Sequence, residues 1–555
     1  MKTLRSLTLG AGLGFLALAV VVQGFLPWLT PASRDRSVTR AVRTELGEIK
    51  WVWYEAADYT PLEARGRAVY VREGCWYCHS QYVRPVAGED FRWGPVSEAG
   101  EYHFDQPHLL GTRRVGPDLT RIGLRLADGW HYAHHWDPRM VVPDSNMPAF
   151  RWLFHQLRLP VREAGGEAVL GDHPELARFF TMAPTPLVPL YPNQAGLAFA
   201  DPGRVDDRIP GTPVLDLRHF KDARPRLTTV TLVVPSRDLV ALVAYLQKLG
   251  TSRGLWRDAF EPQAVAVGAL YAPATARMVE RGRAVYRQRC LGCHGLKGDG
   301  SGPAATFLSP RPRDFTAPAF RFRSTPSGAL PTDGDLFRTI TRGVRWTAMP
   351  AWHELRDTDR LAVIQLIKTF APDAWREPAE TPLVVPEPPP ATPELLARGR
   401  TLFDTAKCWE CHGREGKGDG PSAPDLRTDD GFPIRPTDLT RGQLKGGVHV
   451  PDVFRALSTG LTGTPMPSYA ESLAEDERWA LAYFVLSLSA FTDPLTGETL
   501  RLTAGARAAL DEPGIGDEPH AAYDPASDPA ARPDRRAARP ERYRYRFGLQ
   551  GGPKE

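Results

Sequence analysis

Cysteine is scarce in this chain of 555 residues, which contains only six. All six lie in three short stretches: EGCWYCHS at 73–80, RCLGCHG at 289–295 and KCWECHG at 407–413. Each stretch holds two cysteines separated by two residues, with a histidine directly after the second. No cysteine is left over for a disulfide or a free thiol elsewhere, which excludes a fold held together by disulfides.

A strong net charge is also missing, because the formal net charge is only +4. The Lys and Arg residues are scattered and no basic helix or binding motif stands out, so nucleic acid is not an expected partner. Apolar residues make up 42% and charged residues 24%, the usual proportions of folded domains. The length is too great for one hydrophobic core and predicts three or four domains.

Long apolar runs are absent apart from one near the N-terminus. No charged side chain occurs from Ser6 to Ser33, and this stretch is long enough to cross a hydrocarbon layer of about 30 Å. Lys2 and Arg5 precede it, which favours a cytoplasmic N-terminus with the rest of the chain on the other side. A cleaved signal peptide ending at Ala32 is the alternative. The apolar core of such peptides usually has about 7–15 residues, so the sequence favours a retained anchor.

The three cysteine stretches lie inside three copies of a longer pattern. In each copy a Gly-Arg pair precedes the cysteines, and an aromatic residue follows the glycine by four positions. These aromatic residues are Tyr70, Tyr286 and Phe403. Each copy closes with apolar residues three and four apart, as in an amphipathic helix. The closing helices are expected to begin at Ser236, Asp357 and Glu475. The first copy carries a long insertion at about 151–235, which is expected to dock on a partner.

Three interpretations of a Cys-X-X-Cys pair compete. A thioredoxin-like redox pair needs a βαβ context, and none surrounds these stretches. A structural zinc site needs two such pairs at a suitable spacing. The histidine after the second cysteine instead indicates covalently attached c-type haem, with that histidine as an axial ligand of the iron. The pattern predicts three haem c groups. The attachment sites are Cys75, Cys78, Cys290, Cys293, Cys408 and Cys411, and the histidine ligands are His79, His294 and His412.

Methionine is nearly as scarce, with seven in the chain. Three of them stand before a proline, each downstream of a cysteine stretch: Met147, Met349 and Met466. A methionine often only fills space in a hydrophobic core. Three Met-Pro pairs at matching positions favour a different role, as the sixth ligand of each iron. Met140 is a weaker candidate for the first iron.

Histidine and methionine together fill both axial positions of an iron and raise its reduction potential. No position is then left for oxygen, peroxide or nitrite, so no catalytic residue is expected in this chain. Its haems are expected to carry electrons only. A peroxidase-type enzyme that turns over on one of its own haems is the alternative from another class, but it needs an open axial position, against which the three Met-Pro pairs argue.

Two weaker patterns accompany these residues. VGPDL at 115–119 and APDL at 423–426 lie between the cysteines and the methionines, and a turn carbonyl there is expected to accept the second N–H of the axial histidine. His131, His134 and His135 have the helical spacing of metal ligands. Since no carboxylate partner is evident, a polar helix face is favoured over a metal site.

The first copy also resembles a known family. The runs YVREGCWYCHSQYVRP, SEAGEYHFDQPHLLGTRRVGPDLTRIG and DPRMVVPDSNMPAFRWLF closely resemble subunit II of the cbb3-type cytochrome c oxidases, a monohaem cytochrome with one membrane anchor. The resemblance covers roughly residues 1–250. It implies Cys75 and Cys78 as haem attachment sites, and His79 and Met147 as axial ligands.

Residues 275–490 look like two class I cytochrome c domains in tandem, which a separate dihaem subunit usually supplies in that family. The run RPRDFTAPAFRFRSTPSGALPTD in the second copy is not typical of that subunit. It is more similar to stand-alone cytochromes that serve various respiratory enzymes.

The expected fold class is mainly α: one N-terminal transmembrane helix, three class I cytochrome c domains of which the first has the insertion, and a disordered C-terminal tail. The tail is rich in Ala, Pro, Arg and Asp and shows no periodicity. The expected boundaries are 1–33 for the anchor, 34–250 for the first domain, 251–275 for a linker, 276–372 for the second domain, 373–393 for a Pro-rich linker, 394–493 for the third domain and 494–555 for the tail.

The resemblance and the ligand pattern together predict a trihaem cytochrome c anchored in the cytoplasmic membrane, with its haem domains on the periplasmic side. Its electrons would come from a soluble cytochrome, a copper protein or a quinol-oxidising complex. They would leave from the first haem to the haem–copper catalytic subunit of a cbb3-type oxidase on another chain. Two alternatives stay open: a cytochrome c subunit of a haem–copper nitric oxide reductase, and the electron acceptor of a periplasmic dehydrogenase.

Overall fold

The computed structural model of the chain describes most of the sequence up to residue 492. The described residues are 2–29, 36–86, 88–123, 125–164, 167–170, 174–181, 187–202, 208–217, 220, 227–260, 274–317, 319–376, 379–442 and 444–492. The predicted disordered tail and part of the first predicted linker therefore lie outside the described residues.

Helices dominate the described part, which agrees with the predicted fold class. They are α1 Lys2–Ala19, α2 Leu26–Leu29, α3 Pro61–Arg72, α4 Glu89–Trp93, α5 Asp128–Trp136, α6 Arg237–Lys248, α7 Trp256–Phe260, α8 Ala276–Arg289, α9 Leu291–His294, α10 Asp333–Arg342, α11 Asp357–Lys368, α12 Pro393–Thr405, α13 Trp409–His412, α14 Val450–Thr459 and α15 Glu475–Ser487. The strands are β1 Ser37–Arg43, β2 Ile49–Glu55, β3 Phe154–Ala164, β4 Glu167–Leu170, β5 Phe180–Thr181, β6 Leu187–Leu190, β7 Leu197–Phe199, β8 Ile209–Pro210, β9 Thr212–Leu215 and β10 Thr229–Pro235.

The N-terminal helix passes from α1 through a wider-wound stretch, Val20–Phe25, into α2. Within it, Thr3–Phe25 is 23 residues long and apolar enough to cross a membrane, and none of it is buried against the rest of the chain. A lone helix with apolar side chains exposed along its length needs an apolar solvent, which a bilayer provides. This helix is therefore a candidate membrane anchor.

Three modules follow, and each is built on the same crossing of two helices. The first helix of a module packs on its last helix: α3 on α6 in the first module, α8 on α11 in the second and α12 on α15 in the third. A glycine lies at each crossing, and a Cβ on it would overlap a backbone carbonyl of the partner helix. These glycine–carbonyl pairs are Gly66 with Ala241, Gly282 with Ala362 and Gly399 with Ala480. Glycine is therefore required at the first position of each Gly-Arg pair, because the backbones of the two helices approach each other closely there.

Replacing Gly282 by alanine should destabilise the second module by about 1–3 kcal/mol, because the methyl group forces the two helix backbones apart. Thermal unfolding of the full-length protein in detergent, followed by circular dichroism, measures this effect. The control is Arg283→Ala, the next position on the same helix, where the side chain is exposed. Equal melting temperatures for the two variants would contradict a packing role for Gly282.

The insertion in the first module folds as a sheet, which the sequence analysis did not predict. Among the described residues of the insertion, six strands lie in the order β6-β9-β4-β3-β10-β7, and β3 pairs antiparallel with both β4 and β10. Along β10, Val230, Leu232 and Val234 face a core of the insertion's own. Val233 faces the opposite way, into the core of the helical module. Because both faces of β10 are buried, its sequence is almost continuously apolar, as is usual for a strand covered on both sides.

A hairpin of β1 and β2 follows the anchor and contacts the third module at the other end of the described chain. Its turn glycine, Gly47, lies against Leu486 and Val450. The N–H of Phe491 donates to the carbonyl oxygen of Arg43 at 2.9 Å, and the Phe491 ring meets the Tyr54 ring edge to face. The first and third modules are thus joined through this hairpin.

The Pro-rich segment between the second and third modules, described at 379–392, forms neither helix nor strand. It is fixed to both modules, since the N–H of Leu383 donates to the carbonyl oxygen of Ser324 and the Tyr483 hydroxyl donates to that of Pro389, both at 2.7 Å. A proline-rich chain loses little conformational entropy when it is held extended.

Candidate functional site

Each cysteine pair lies directly after the first helix of its module. In the first module Gly74, with φ of 73°, ends the helix one residue before Cys75. In every module the backbone N–H of the histidine donates to the carbonyl oxygen of the first cysteine, at 2.9–3.0 Å. This one-turn structure places the three motif side chains next to one another, as attachment of one macrocycle by two thioethers and an imidazole requires.

The Nδ1 atom of each motif histidine is held by a backbone carbonyl. The distances are 2.7 Å from His79 to Pro117, 2.9 Å from His294 to Arg313 and 3.3 Å from His412 to Thr437. Because an N–H at Nδ1 donates to the carbonyl, Nε2 is left with its lone pair as the ligand atom. The expectation for GPDL in the first module is confirmed. The expectation for APDL at 423–426 is wrong, because the acceptor in the third module is Thr437.

A sequence pattern that identifies all three acceptors was missed. In each module the acceptor residue is followed by Asp, Leu or Phe, and Thr: DLT at 118–120, DFT at 314–316 and DLT at 438–440. The aspartate Oδ1 accepts from the threonine backbone N–H at 2.8–3.0 Å in every case. This aspartate turn fixes the preceding peptide and aims its carbonyl at the imidazole.

The three Met-Pro methionines share a second local structure. The backbone N–H of each donates to the side-chain oxygen two residues before it. The pairs are Met147 with Ser145 at 3.2 Å, Met349 with Thr347 at 3.1 Å and Met466 with Thr464 at 3.3 Å. The hydroxyl therefore fixes the backbone that carries each thioether, and three independent loops converge on the same geometry.

The second and third modules share one continuous cavity of about 410 Å³. Its walls include eight of the residues predicted from the sequence: Cys290, Cys293, His294, Met349, Cys408, Cys411, His412 and Met466. The remaining lining is mainly apolar. Thiols, an imidazole and a thioether on the wall of an apolar cavity are the donor set of c-type haem, so the residues present fit that group.

In the first module, Cys75 and Met147 pack against the same hydrophobic core, and Cys78 is exposed. Gly116 lies beside the His79 ring, where a Cβ would overlap the imidazole. The predicted aromatic residues Tyr70, Tyr286 and Phe403 are buried in the cores of the three modules, with at most 2% of their surface exposed. Their burial agrees with the apolar packing that was predicted for these positions.

Burial determines the ionisation of the motif residues. It lowers the pKa of all three motif imidazoles, to about 4 for His294, so these imidazoles are neutral at neutral pH. Burial raises the pKa of the Cys290 and Cys293 thiols to about 12. Redox-active cysteine pairs need a lowered thiol pKa, so the Cys290–Cys293 pair is unsuited to disulfide exchange.

The histidines of α5 are buried, so the predicted polar helix face is wrong. His131 and His135 have 2% and 5% of their surface exposed, and Nδ1 of His135 lies 2.8 Å from the carbonyl oxygen of His131. His134 stacks on Trp130. Within the part of the chain that the structure describes, no group of three His, Cys, Asp or Glu side chains is placed to hold a metal ion.

The first module packs directly on the cysteine turn of the second. The carbonyl oxygen of Met140 lies so close to Gly292 that a Cβ there would overlap it, and Gly129 approaches the carbonyl of Phe307 in the same way. Cys293 joins the hydrophobic core of the first module. Gly292 lies between the two cysteines of its motif, so this contact covers one side of the second candidate site.

The insertion also contacts the chain's own modules. The Arg311 guanidinium of the second module lies 5.4 Å from the ring centre of Tyr191 in the insertion and 5.3 Å from that of Phe432 in the third module. Asn193 donates through Nδ2 to the carbonyl of Pro303 at 3.4 Å. Part of the surface that was expected to meet a partner is therefore used inside the chain.

Comparison with protein families assigns each module. Residues 48–164 match the sequence model of the family described as cytochrome C oxidase, mono-heme subunit/FixO. Residues 277–367 match that of cytochrome C oxidase, cbb3-type, subunit III, and residues 396–489 that of cytochrome c. The second module therefore does resemble a cbb3 subunit, which corrects the expectation of a stand-alone cytochrome there.

Among solved structures, a chain of the reducing HAO-like protein complex of Kuenenia stuttgartiensis is 42% identical. The match covers 40% of this chain and 99% of that chain, with a TM-score of 0.38. No curated protein matches the chain.

Proposed function

We propose that this chain, a FixO-like oxidase subunit fused to two cytochrome c domains, is a trihaem electron carrier for the haem–copper catalytic subunit of a cbb3-type oxidase. The family matches support a c-type cytochrome that transfers electrons in association with such an oxidase. The number of haems, their ligands and the partner are the parts that we propose.

Haem c would supply a one-electron couple of ferric and ferrous iron at each site. The chain's own residues attach it, orient it and exclude water. The cysteine pairs would form the covalent attachment, the histidines would provide Nε2 while a carbonyl holds Nδ1, and the Met-Pro methionines would provide the thioether. Held in this way, each haem would transfer electrons without binding small molecules at its iron.

The observation that carries the proposal is the serial arrangement of the sites. The second and third sites line one cavity, and the cysteine turn of the second lies against the first module. Electrons that enter at the third module therefore have a continuous protein path to the first. The first module is the part that matches the mono-heme oxidase subunit, so it is the proposed exit to the catalytic subunit.

The single N-terminal helix supports attachment to the membrane. We place the haem domains on the periplasmic side of the cytoplasmic membrane, because covalent attachment of haem to exported chains takes place there and because Lys2 and Arg5 favour a cytoplasmic N-terminus.

Purification of the tagged, intact complex from detergent-solubilised membranes tests this function. We expect three haem c per copy of this chain, copurifying haem b and copper, and rapid oxygen consumption. Non-haem iron in place of copper, with turnover of nitric oxide, would identify a reductase instead. A complex with c-type haem alone and no gas consumption would contradict the proposal and favour a dehydrogenase partner.

A further inference from the structure

Seven Lys and Arg side chains line a small pocket between the second and third modules, next to the shared cavity. Four of them are paired with carboxylates. Arg338 pairs with Asp335, Arg342 and Arg455 pair with Asp452, and Arg345 pairs with Asp258. The other three are Arg321, Arg323 and Lys445, and none of these forms an ion pair with a carboxylate in the described part of the chain.

Arg321 and Lys445 line both the small pocket and the shared cavity. Arg321 comes from the second module and Lys445 from the third, so the pair spans the boundary. Burial lowers the pKa of both, to about 10 for Arg321, and each cation has another nearby: Arg313 repels Arg321, and Arg321 repels Lys445. Nε of Arg321 has no hydrogen-bond acceptor among the described residues.

Arg323 lies behind them with only 2% of its surface exposed. Its Nε donates to the carbonyl of Pro326 and its Nη2 to that of Thr459 in the third module, which fixes the guanidinium across the boundary. Its Nη1 has no acceptor among the described residues. Burying cations whose hydrogen-bond donors have no acceptor costs free energy unless an anion binds to them.

Few acidic side chains in the part of the protein that the structure describes lie close enough to provide that anion. Asp429 and Asp430 are near enough to Arg321 to raise its pKa, but neither pairs with it within 4.0 Å among the described ion pairs. The cavity on which Arg321 and Lys445 open is the one that holds the proposed attachment sites of two haems. Each haem carries two carboxylate groups on the edge away from its thioether bonds.

We infer that Arg321 and Lys445, backed by Arg323, bind carboxylate groups of the haems in the second and third modules and so couple the two haems electrostatically. This inference rests on the proposed function, because it needs haem at both sites. A positive charge at a haem carboxylate favours ferrous over ferric iron, since it offsets the negative charge that stabilises the oxidised state. The pair therefore raises both reduction potentials together.

The test is a spectroelectrochemical titration of the purified full-length protein in detergent, comparing Arg321→Gln, Lys445→Gln and the double variant with the parent. We expect the potentials of two of the three haems to fall in each variant, further in the double variant, while the third stays unchanged. The resonance Raman bending bands of the haem carboxylates should shift in the same two haems.

Two kinds of control define the result. Arg283→Gln and Arg398→Gln remove one positive charge from exposed positions of the second and third modules and should leave all potentials in place. Arg321→Lys and Lys445→Arg keep the charge and should restore most of the parent potentials. Arg321→Gln and Lys445→Gln break no hydrogen bond or ion pair described for the Arg321 and Lys445 side chains. Circular dichroism with a haem count checks that these two variants fold.

Parent-like potentials and Raman bands in the double variant would overturn the inference. A free small anion is the competing occupant, and phosphate titration identifies it: potentials of the parent that depend on phosphate concentration, with no such dependence in the double variant, also overturn it. Failure of the proposed function is distinct, because it appears as fewer than three covalent haems in the parent protein.

Discussion

Reduced protein in which Met349 is replaced by alanine should bind one equivalent of carbon monoxide, whereas the parent protein should bind none. In the proposed function Met349 closes the sixth position of the iron in the second module, so removing it should leave that position open. The potential of the same haem should fall, because thioether sulfur favours the ferrous state. A carbon monoxide titration followed by absorbance counts the open sites directly.

The same substitution at Met147 or Met466 should open one site each. Matched controls are Met278→Ala, in the second module outside the shared cavity, and Met140→Ala, the weaker candidate of the first module. Both should leave the protein without affinity for carbon monoxide. Binding to Met140→Ala but not to Met147→Ala would reassign the ligand of the first iron, and binding to the parent protein would revive a peroxidase-type function.

Replacing Gly292 by glutamate should leave all three haems attached and slow electron transfer between the first and second modules. The position between the cysteines tolerates a side chain in the other motifs, where Tyr77 and Glu410 occupy it. Glycine is required in the second motif because the carbonyl of Met140 leaves no room. Overlap of this kind costs about 1–3 kcal/mol, which shifts the docked population by about 5- to 150-fold.

Rapid reduction of the third module, followed by time-resolved absorbance of the first, measures this slowing. Leu296→Glu is the control, since it adds the same charge just after the motif at a side chain that is 71% exposed. Small-angle scattering should show an expanded molecule for Gly292→Glu only. A variant with parent-like kinetics and dimensions would rule out this contact as the path between the two modules.

The candidate site residues could be recognised because the patterns that indicate them are local in the sequence. A cysteine pair followed by histidine indicates haem attachment and an axial ligand within five residues, and Met-Pro pairs mark the methionine loops. The acceptor for the histidine Nδ1 was predicted only where GPDL made it visible. In the other modules Arg313 and Thr437 provide the acceptor through a backbone carbonyl, which every residue type has. Only the Asp and Thr that follow each of them mark these positions in the sequence.

The contacts between modules could not be predicted in this way. Gly292 is one glycine among 50 in the chain, and nothing in its sequence neighbourhood identifies Met140 as its partner. The sheet of the insertion could not be predicted although β10 is rich in β-branched residues, because its strands pair across long sequence separations, as β10 does with β3. His131 and His135 of α5 have polar side chains but are buried in the folded chain. Burial of that kind depends on tertiary structure alone.

The hairpin after the anchor determines how the third module can work. A domain held only by a proline-rich tether of this length would diffuse around its attachment point. It would deliver electrons only on chance encounters, at a rate that falls as solvent viscosity rises. Arg43, Gly47 and Tyr54 instead hold the third module against the hairpin of the first. We therefore expect the proposed haem sites to stay at a constant distance from one another, at the cost of a shorter reach towards distant electron donors.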